Sequence, residues 1–221
     1  MFNIIRPVLY SYFRSSCAWR VRIALNLKDI KFEYRAVNLI KDGGMQRKEE
    51  YTALNPMQQV PTLLIDGATL TQSIAIMEYL EEINPSPAIL PENPLQRAKV
   101  REICEVIASG IQPVQNLQIL QKVEKLADAE EKTEWAKSCI VKGFTALESL
   151  LSKCAGKYCV GDTITMADIC LVPQVFNANR FKVDMSKYPL ISKINEELQK
   201  NDAFQKASPS KQPDCPEDLR V

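Results

Sequence analysis

Two serines and a cysteine stand in succession at Ser15-Ser16-Cys17, where the strand-like run Val8-Leu9-Tyr10-Ser11-Tyr12 gives way to a stretch whose apolar residues, Trp19, Ile23, Ala24 and Leu27, recur at helical spacing. That position is the positive end of a helix dipole, where hydroxyls and backbone amides can face an anion. Thiolate chemistry is what such a turn supports, with Cys17 as a possible nucleophile. An N-cap serine followed by a buried cysteine fits the same three residues equally well, so the turn alone does not decide.

Two further segments bear on the choice. In Gln59-Val60-Pro61-Thr62 a proline opens a strand without a donor for the ladder, and a cis Val60-Pro61 bond would turn the Val60 backbone outward to pair with an extended peptide ligand. At Gln72-Ser73 another helix begins, and its amides with the Ser73 hydroxyl would stabilise a carboxylate. Each has an ordinary structural reading, an edge-strand proline and a helix cap. The three together lie at corresponding ends of neighbouring elements, which favours a ligand.

Composition removes several chemistries. There is no histidine, so Ser-His-Asp hydrolysis, Cys-His proteolysis and the common His-bearing metal sites are excluded. The seven cysteines (17, 104, 139, 154, 159, 170 and 215) form no Cys-x-x-Cys pair and no metal-cluster spacing; they read as reduced thiols, and no metal is expected. Charge is balanced, 28 Lys and Arg against 27 Asp and Glu, which makes nucleic acid and anionic membrane poor partners. No apolar run approaches the roughly 18 residues of a membrane span, and Met1-Phe2-Asn3 lacks the layout of a signal peptide, so a cytoplasmic location is expected.

The elements that must position these residues follow from the pattern. Ile30 to Val37 alternates as a half-buried strand, Val60 to Ile65 and Thr69-Leu70 flank an Asp66-Gly67 hairpin turn, and Ser73 caps an amphipathic helix with Glu78 to Glu82 on its solvent side. Four prolines (85, 87, 91 and 94) then mark a linker. Beyond it the pattern is helical near 94–122, 131–154, 165–178 and 188–200, with a capping box at Thr165-Met166-Ala167-Asp168 and a Pro-rich surface tail after Ser208. At 221 residues two domains are expected: 1–84, a linker at 85–93, and an all-helical 94–221.

The order βαβ, X-Pro before a hairpin, then a capped helix resembles the thioredoxin-like fold, and with an all-α second domain it resembles a cytosolic glutathione transferase. Ser15-Ser16-Cys17-Ala18-Trp19-Arg20, Asn55-Pro56-Met57-Gln58-Gln59-Val60-Pro61, Ile111-Gln112-Pro113-Val114-Gln115-Asn116, Tyr158-Cys159-Val160-Gly161-Asp162 and Asn179-Arg180-Phe181-Lys182-Val183-Asp184 are similar to the zeta class, the maleylacetoacetate isomerases. The likeness runs along essentially the whole chain; it departs at Ala18, where the class more usually has serine, and in a longer, more charged stretch from Glu124 to Glu134.

The resemblance implies an α/β thioredoxin-like domain of βαβ-α-ββα order with a mixed four-stranded sheet, an all-α helical bundle, a homodimer, and glutathione as cofactor. It implies that Ser15 hydrogen-bonds the glutathione sulfur, that Val60, beside Pro61, pairs with the cysteinyl unit, that Gln72 and Ser73 hold the γ-glutamyl end and that Gln46 contacts the peptide. Ser16 and Cys17 belong to the same cradle, Cys17 as a neighbour that modulates turnover. Arg14 and Arg180 are candidates for the substrate's carboxylates because a guanidinium binds them bidentately, and Gln112 and Asn116 for lining the pocket. The implied reaction is cis-trans isomerisation of maleylacetoacetate, a step of tyrosine breakdown. Three other readings stand beside it: glutathione conjugation of small electrophiles or α-halo acids, a glutaredoxin-like exchanger built on Cys17, against which the missing second cysteine argues, and a non-enzymatic ligand-binding module.

Overall fold

A computed structural model describes residues 6–220; the Met1-Phe2-Asn3 start lies outside the described residues. Contacts divide the chain into two units, one of residues up to Pro87 joined by those from Asn201 onward, the other Ala88–Lys200.

The first unit is built on β1 (Val8–Ser11), α1 (Ser16–Leu27) and β2 (Glu33–Ala36), then a short α2 (Glu49–Thr52), the hairpin β3 (Thr62–Ile65) and β4 (Ala68–Thr71), and α3 (Ser73–Ile83). The sheet order is β2-β1-β3-β4, with β1 and β2 parallel and the other two pairs antiparallel. This is the mixed four-stranded sheet that the family resemblance implied. β2 is shorter than Ile30 to Val37 suggested and mostly exposed, because it is an edge strand with a parallel partner on one side alone. Nearly every side chain of α1 through Leu25 is buried, as the helix packs against α3 and α9 (Asp202–Ala207).

Two expectations are corrected here. Glu81 does not face solvent: it is 8% exposed and accepts at 2.7 Å from Lys28 Nζ, itself buried, which also donates to the carbonyls of Asn84 (2.6 Å) and Pro87 (3.0 Å). The tail after Ser208, grouped by sequence with the helical domain and expected to lie loosely on the surface, belongs to the first unit. Gln212 and Cys215 are buried there, and α9 just before it is anchored by buried Phe204 and by Asn26 Nδ2, which donates to the Ala203 carbonyl at 3.2 Å. Polar composition hid a segment anchored through backbone carbonyls and a few apolar side chains.

The second unit holds α4 (Pro94–Glu105), α5 (Leu117–Leu126), α6 (Ala129–Cys154), α7 (Met166–Arg180) and α8 (Pro189–Leu198) around Val100, Ile140, Phe144, Leu147, Ile169 and Ile194. The helix expected over 94–122 is interrupted: α4 passes into a π-helical turn at Val106–Ile111, then a 3₁₀ turn at Pro113–Gln115, and α5 starts afresh under Asn116. Pro113 cannot donate to the ladder, and Asn116 Oδ1 takes the Leu117 N–H, so one helix ends and another is capped. Gly143 of α6 lies against this turn, and a Cβ there would overlap the end of the Ile111 side chain and force it to shift. The charged stretch from Glu124 to Glu134 forms the end of α5 and an added first turn of α6, capped by Asp128 and tied by a Lys132–Glu124 ion pair.

The capping box opens α7. Asp168, fully buried, accepts from the Cys159 N–H (2.9 Å), the Thr165 N–H (2.8 Å) and the Thr165 hydroxyl (2.9 Å). Burial pushes its carboxyl up and these donors pull it down. Asp168→Ala would strand all three donors in the interior; at about 1–3 kcal/mol for a buried group left unsatisfied, we expect a loss of about 3 kcal/mol, read as a lower denaturant midpoint at an unchanged slope.

Candidate functional site

Strand register gathers the three segments. Tyr10 of β1 faces Thr62 of β3, which faces Thr71 of β4. Because both pairs are antiparallel, the exit of β1, the entry of β3 and the exit of β4 lie at one edge of the sheet, carrying Ser15, Val60-Pro61 and Gln72-Ser73 respectively.

Ser15 is the N-cap of α1, with an extended backbone, and its Oγ accepts from the Ala18 N–H at 3.2 Å. Its N–H donates to the Tyr12 carbonyl at 2.9 Å, closing the turn. With the oxygen engaged as acceptor, the hydroxyl proton is directed away from the helix and can be donated to an anion. Ser16 and Cys17 are the first two helical residues, the former buried and the latter half-buried, and they present first-turn amides that have no intrahelical acceptor. Ala18 explains its own departure from serine: fully buried, it packs in an apolar cluster with Tyr12, Phe13, Val37, Tyr51, Val60 and Cys215. A hydroxyl there would face the core.

The Val60-Pro61 peptide is cis. Among the described residues the Val60 N–H and carbonyl take no partner, which leaves both main-chain groups to an extended peptide. Residues that sequence reasoning missed hold this loop. The Gln59 carbonyl accepts from the Tyr51 hydroxyl (2.6 Å) and from Asn55 Nδ2 (2.7 Å), and the Tyr51 hydroxyl meets Thr62 Oγ1 at 2.8 Å. Burial raises the Tyr51 pKa, so it stays a donor. Asn55-Pro56 was legible as a turn, but nothing in the sequence ties it to Gln59.

At the third segment Gln72 is exposed and sits at φ +67°, a left-handed conformation that is costly for a non-glycine residue and that turns its side chain out at the start of α3. Ser73 is turned inward, and its hydroxyl accepts from Arg20 Nη1 at 3.2 Å. Arg20, 1% exposed, thus places a buried cation beside the N-terminus of α3. It too was missed, its signal being a charged residue on a face otherwise apolar. Gln46 is 3% exposed, donates from Nε2 to the Leu39 carbonyl at 3.3 Å and leaves Oε1 without a partner among the described residues.

Arg14, beside Ser15, is half-buried and lies over the Phe13 ring at 5.8 Å. In the second unit Gln112 is half-buried between the π-helical turn and Pro113, Asn116 spends its side-chain oxygen capping α5, and Arg180 ends α7, exposed, 5.1 Å from the Phe181 ring centroid. No two of the seven cysteines are joined by a disulfide, and among the described residues no helix is long and apolar enough to cross a membrane.

The end of the sheet thus brings together a hydroxyl at a helix N-terminus, an open main-chain segment and a second helix N-terminus beside a buried guanidinium, groups suited to an anionic sulfur, an extended peptide and a carboxylate. Comparison with known proteins points the same way. Residues 14–83 match the glutathione S-transferase N-terminal domain and residues 116–206 the C-terminal domain of that family. The chain is 59% identical to the maleylacetoacetate isomerase of Mus musculus over 98% of both chains. Among solved structures it is similar to maleylacetoacetate isomerase from Anaeromyxobacter dehalogenans with glutathione in its active site (44% identity, 96% of this chain and 98% of that one, TM-score 0.87). It is likewise similar to a bacterial zeta-class maleyl pyruvate isomerase (43% identity, 95% and 100%, TM-score 0.90).

Proposed function

The chain belongs to the glutathione S-transferase family, and from that premise we propose that it is a glutathione-dependent maleylacetoacetate isomerase whose thiolate is held by Ser15. The observation that carries the assignment to Ser15 is its hydroxyl at the N-cap of α1, oxygen on the Ala18 N–H and proton left to donate. Bound glutathione supplies a thiolate that adds reversibly to the cis double bond of a conjugated diketo acid, so the bond can rotate before the thiolate leaves and glutathione is not consumed.

The protein's part is to bind, orient and charge-stabilise. Ser15 donates to the sulfur, and the first turn of α1 adds its amides and dipole. Val60 pairs with the peptide main chain through its two open groups, held by Tyr51 and Asn55 acting on Gln59. Gln72 and Ser73 receive the γ-glutamyl end, with Arg20 behind Ser73, and Gln46, buried with its amide on the Leu39 carbonyl, is assigned to contact the peptide. In the first unit Arg14 is a candidate for a substrate carboxylate; in the second unit Arg180 is another, and Gln112 and Asn116 are candidates for contact with the substrate. Cationic or amide donors placed at the substrate's carbonyl oxygen would stabilise the negative charge that develops there. No histidine is needed at any of these posts. We also infer a cytoplasmic homodimer, on the strength of the family; a monomeric sedimentation coefficient would remove the dimer.

The test is maleylacetone with glutathione in catalytic amount. We expect complete isomerisation with the glutathione thiol count unchanged; stoichiometric loss of thiol would turn the reading to conjugation, and no turnover would end it. In the same assay Cys17→Ala keeps activity within about fivefold of wild type, because Cys17 offers at most a weak S–H donor beside the Ser15 hydroxyl. A loss as deep as that of Ser15→Ala would make Cys17 catalytic.

A further inference from the structure

Ser15 is held in place from an unexpected direction. Its N–H is anchored to the Tyr12 carbonyl, and that carbonyl also accepts from Arg22 Nη1 at 3.3 Å. The next residue, Phe13, is fixed at both main-chain groups: its carbonyl accepts from Arg22 Nη2 at 2.9 Å, and its N–H donates to Asp214 Oδ2 at 2.9 Å. Asp214 belongs to the tail. Its other oxygen accepts from the Tyr34 hydroxyl of β2 at 2.6 Å, so both carboxylate oxygens are used.

The tail is braced to hold that carboxylate. Arg22, fully buried, also donates from Nε to the Ala207 carbonyl at 3.0 Å and from Nη1 to Ser11 Oγ at 3.0 Å. Gln212 Nε2 donates to the Lys206 and Ser208 carbonyls, and Arg220 to those of Cys215 and Pro213. Cys215 sits in the same apolar cluster as Tyr12, Phe13 and Ala18. An ordinary polar tail needs none of this, and a carboxylate whose two oxygens join the catalytic turn to a sheet edge is more than a surface ion.

We propose that Asp214 is a positioning residue for the reaction: from the C-terminal tail it fixes Phe13 against β2 and so sets where the Ser15 hydroxyl points. The inference rests on the reading of Ser15 given above. Removing Asp214 lets the turn relax and draws the Ser15 proton off the sulfur, which raises the pKa of the bound thiol. Removing a negative charge, taken alone, would lower that pKa. The direction of the shift therefore separates positioning from electrostatics. The groups that face Asp214 are Arg22 from α1, Tyr34 from β2 and, next in the chain, Cys215, which Asp218 and Arg220 of the tail also influence.

The experiment compares Asp214→Asn, Asp214→Ala and Tyr34→Phe with Asn26→Ala, which removes a contact to Ala203 of α9 at the other end of α1 from the turn. Three readouts are used: maleylacetone kinetics against pH, the ultraviolet difference spectrum of bound glutathione thiolate, and amide exchange over Phe13–Ala18 in unliganded protein. A misplacement of about 1 Å can cost up to roughly 100-fold in rate, so a relaxed turn should lower kcat about tenfold near neutral pH and change the glutathione KM less than about threefold. The thiolate spectrum should move to higher pH and the Phe13 amide lose protection. Tyr34→Phe, which leaves the Phe13 contact, should move the spectrum the same way by less, and it serves if an Asp214 variant fails to fold.

Asn26→Ala should lose stability and leave the thiolate spectrum in place. If the Asp214 variants merely follow Asn26→Ala, or if their thiol pKa falls, positioning is wrong. A wild-type thiolate with no isomerisation would overturn only the substrate reading, because the spectrum does not depend on the electrophile. A wild type that stabilises no thiolate would overturn both.

Discussion

Ser15→Ala should cost roughly 10- to 100-fold in kcat/KM for maleylacetone below pH 6.5, and the loss should shrink steadily toward pH 9. The size follows from the hydrogen bond removed: a bond to a charged acceptor is worth roughly 1.5–3 kcal/mol, and 1.36 kcal/mol is one pKa unit, so the bound thiol climbs by about one to two units. Below both pKa values the thiolate fraction falls by that whole factor; above both, the two enzymes hold the same thiolate. A free thiol titrates near 8.5, of which only a few per cent is ionised at pH 7, so the effect is greatest where the protein does the most. The sign is definite: the variant's profile moves to higher pH.

Ser15 has a second role that the test must hold apart. Its Oγ also caps α1 by accepting from Ala18, and loss of a cap costs about 1 kcal/mol of stability. Ser15→Thr keeps both the cap acceptor and the hydroxyl donor, so it should recover most of the rate and return the profile toward wild type. A Ser15→Ala enzyme with a pH-independent deficit would mean that the hydroxyl orients substrate and does not ionise the thiol.

The functional edge was more legible than its supports, for physical reasons. Ser15, Pro61 and Ser73 announce themselves because cap chemistry and missing donors are local rules, readable at one position. The bonds that hold them are long-range. Asp214 meets Phe13 across 201 positions, Arg22 meets Ala207 across 185, and Lys28 meets Glu81 across 53, so no window of sequence contains both partners. Periodicity also misjudged charge: Glu81 falls on the polar side of α3 by pattern, and the lysine that pairs with it stands at the C-cap of α1. Pattern placed the helical segments of the second unit but carried one unbroken through Gly110 to Pro113, where the chain in fact changes pitch. The family resemblance supplied what neither rule could, the proposed roles of Gln46 toward the peptide and of Arg180 toward the substrate.

Lys28→Ala is the substitution with the largest expected effect on stability. The ammonium has no solvent exposure and three acceptors, Glu81 Oε2 and the carbonyls of Asn84 and Pro87, which satisfy all its protons. In return Asn84 Nδ2 donates to the Lys28 carbonyl at 3.2 Å. These bonds tie the end of α1 to the end of α3 and to the proline segment that follows. Removing one member of a buried pair leaves the other charged, desolvated and alone, which typically costs 3–5 kcal/mol, whereas replacing both by apolar residues is often nearly neutral. We therefore expect Lys28→Ala to lower stability by about 4 kcal/mol and Lys28→Met/Glu81→Leu to recover much of that. Lys28→Met alone should stay close to Lys28→Ala, since it fills the space but still removes the ammonium from the buried Glu81 carboxylate. Denaturant midpoints on all of these, with Glu81→Leu completing the cycle, give the coupling between the pair. Additive losses would show that Lys28 acts through the two carbonyls and not through Glu81; a coupling of a few kcal/mol would make the ion pair the fastening between the two helices.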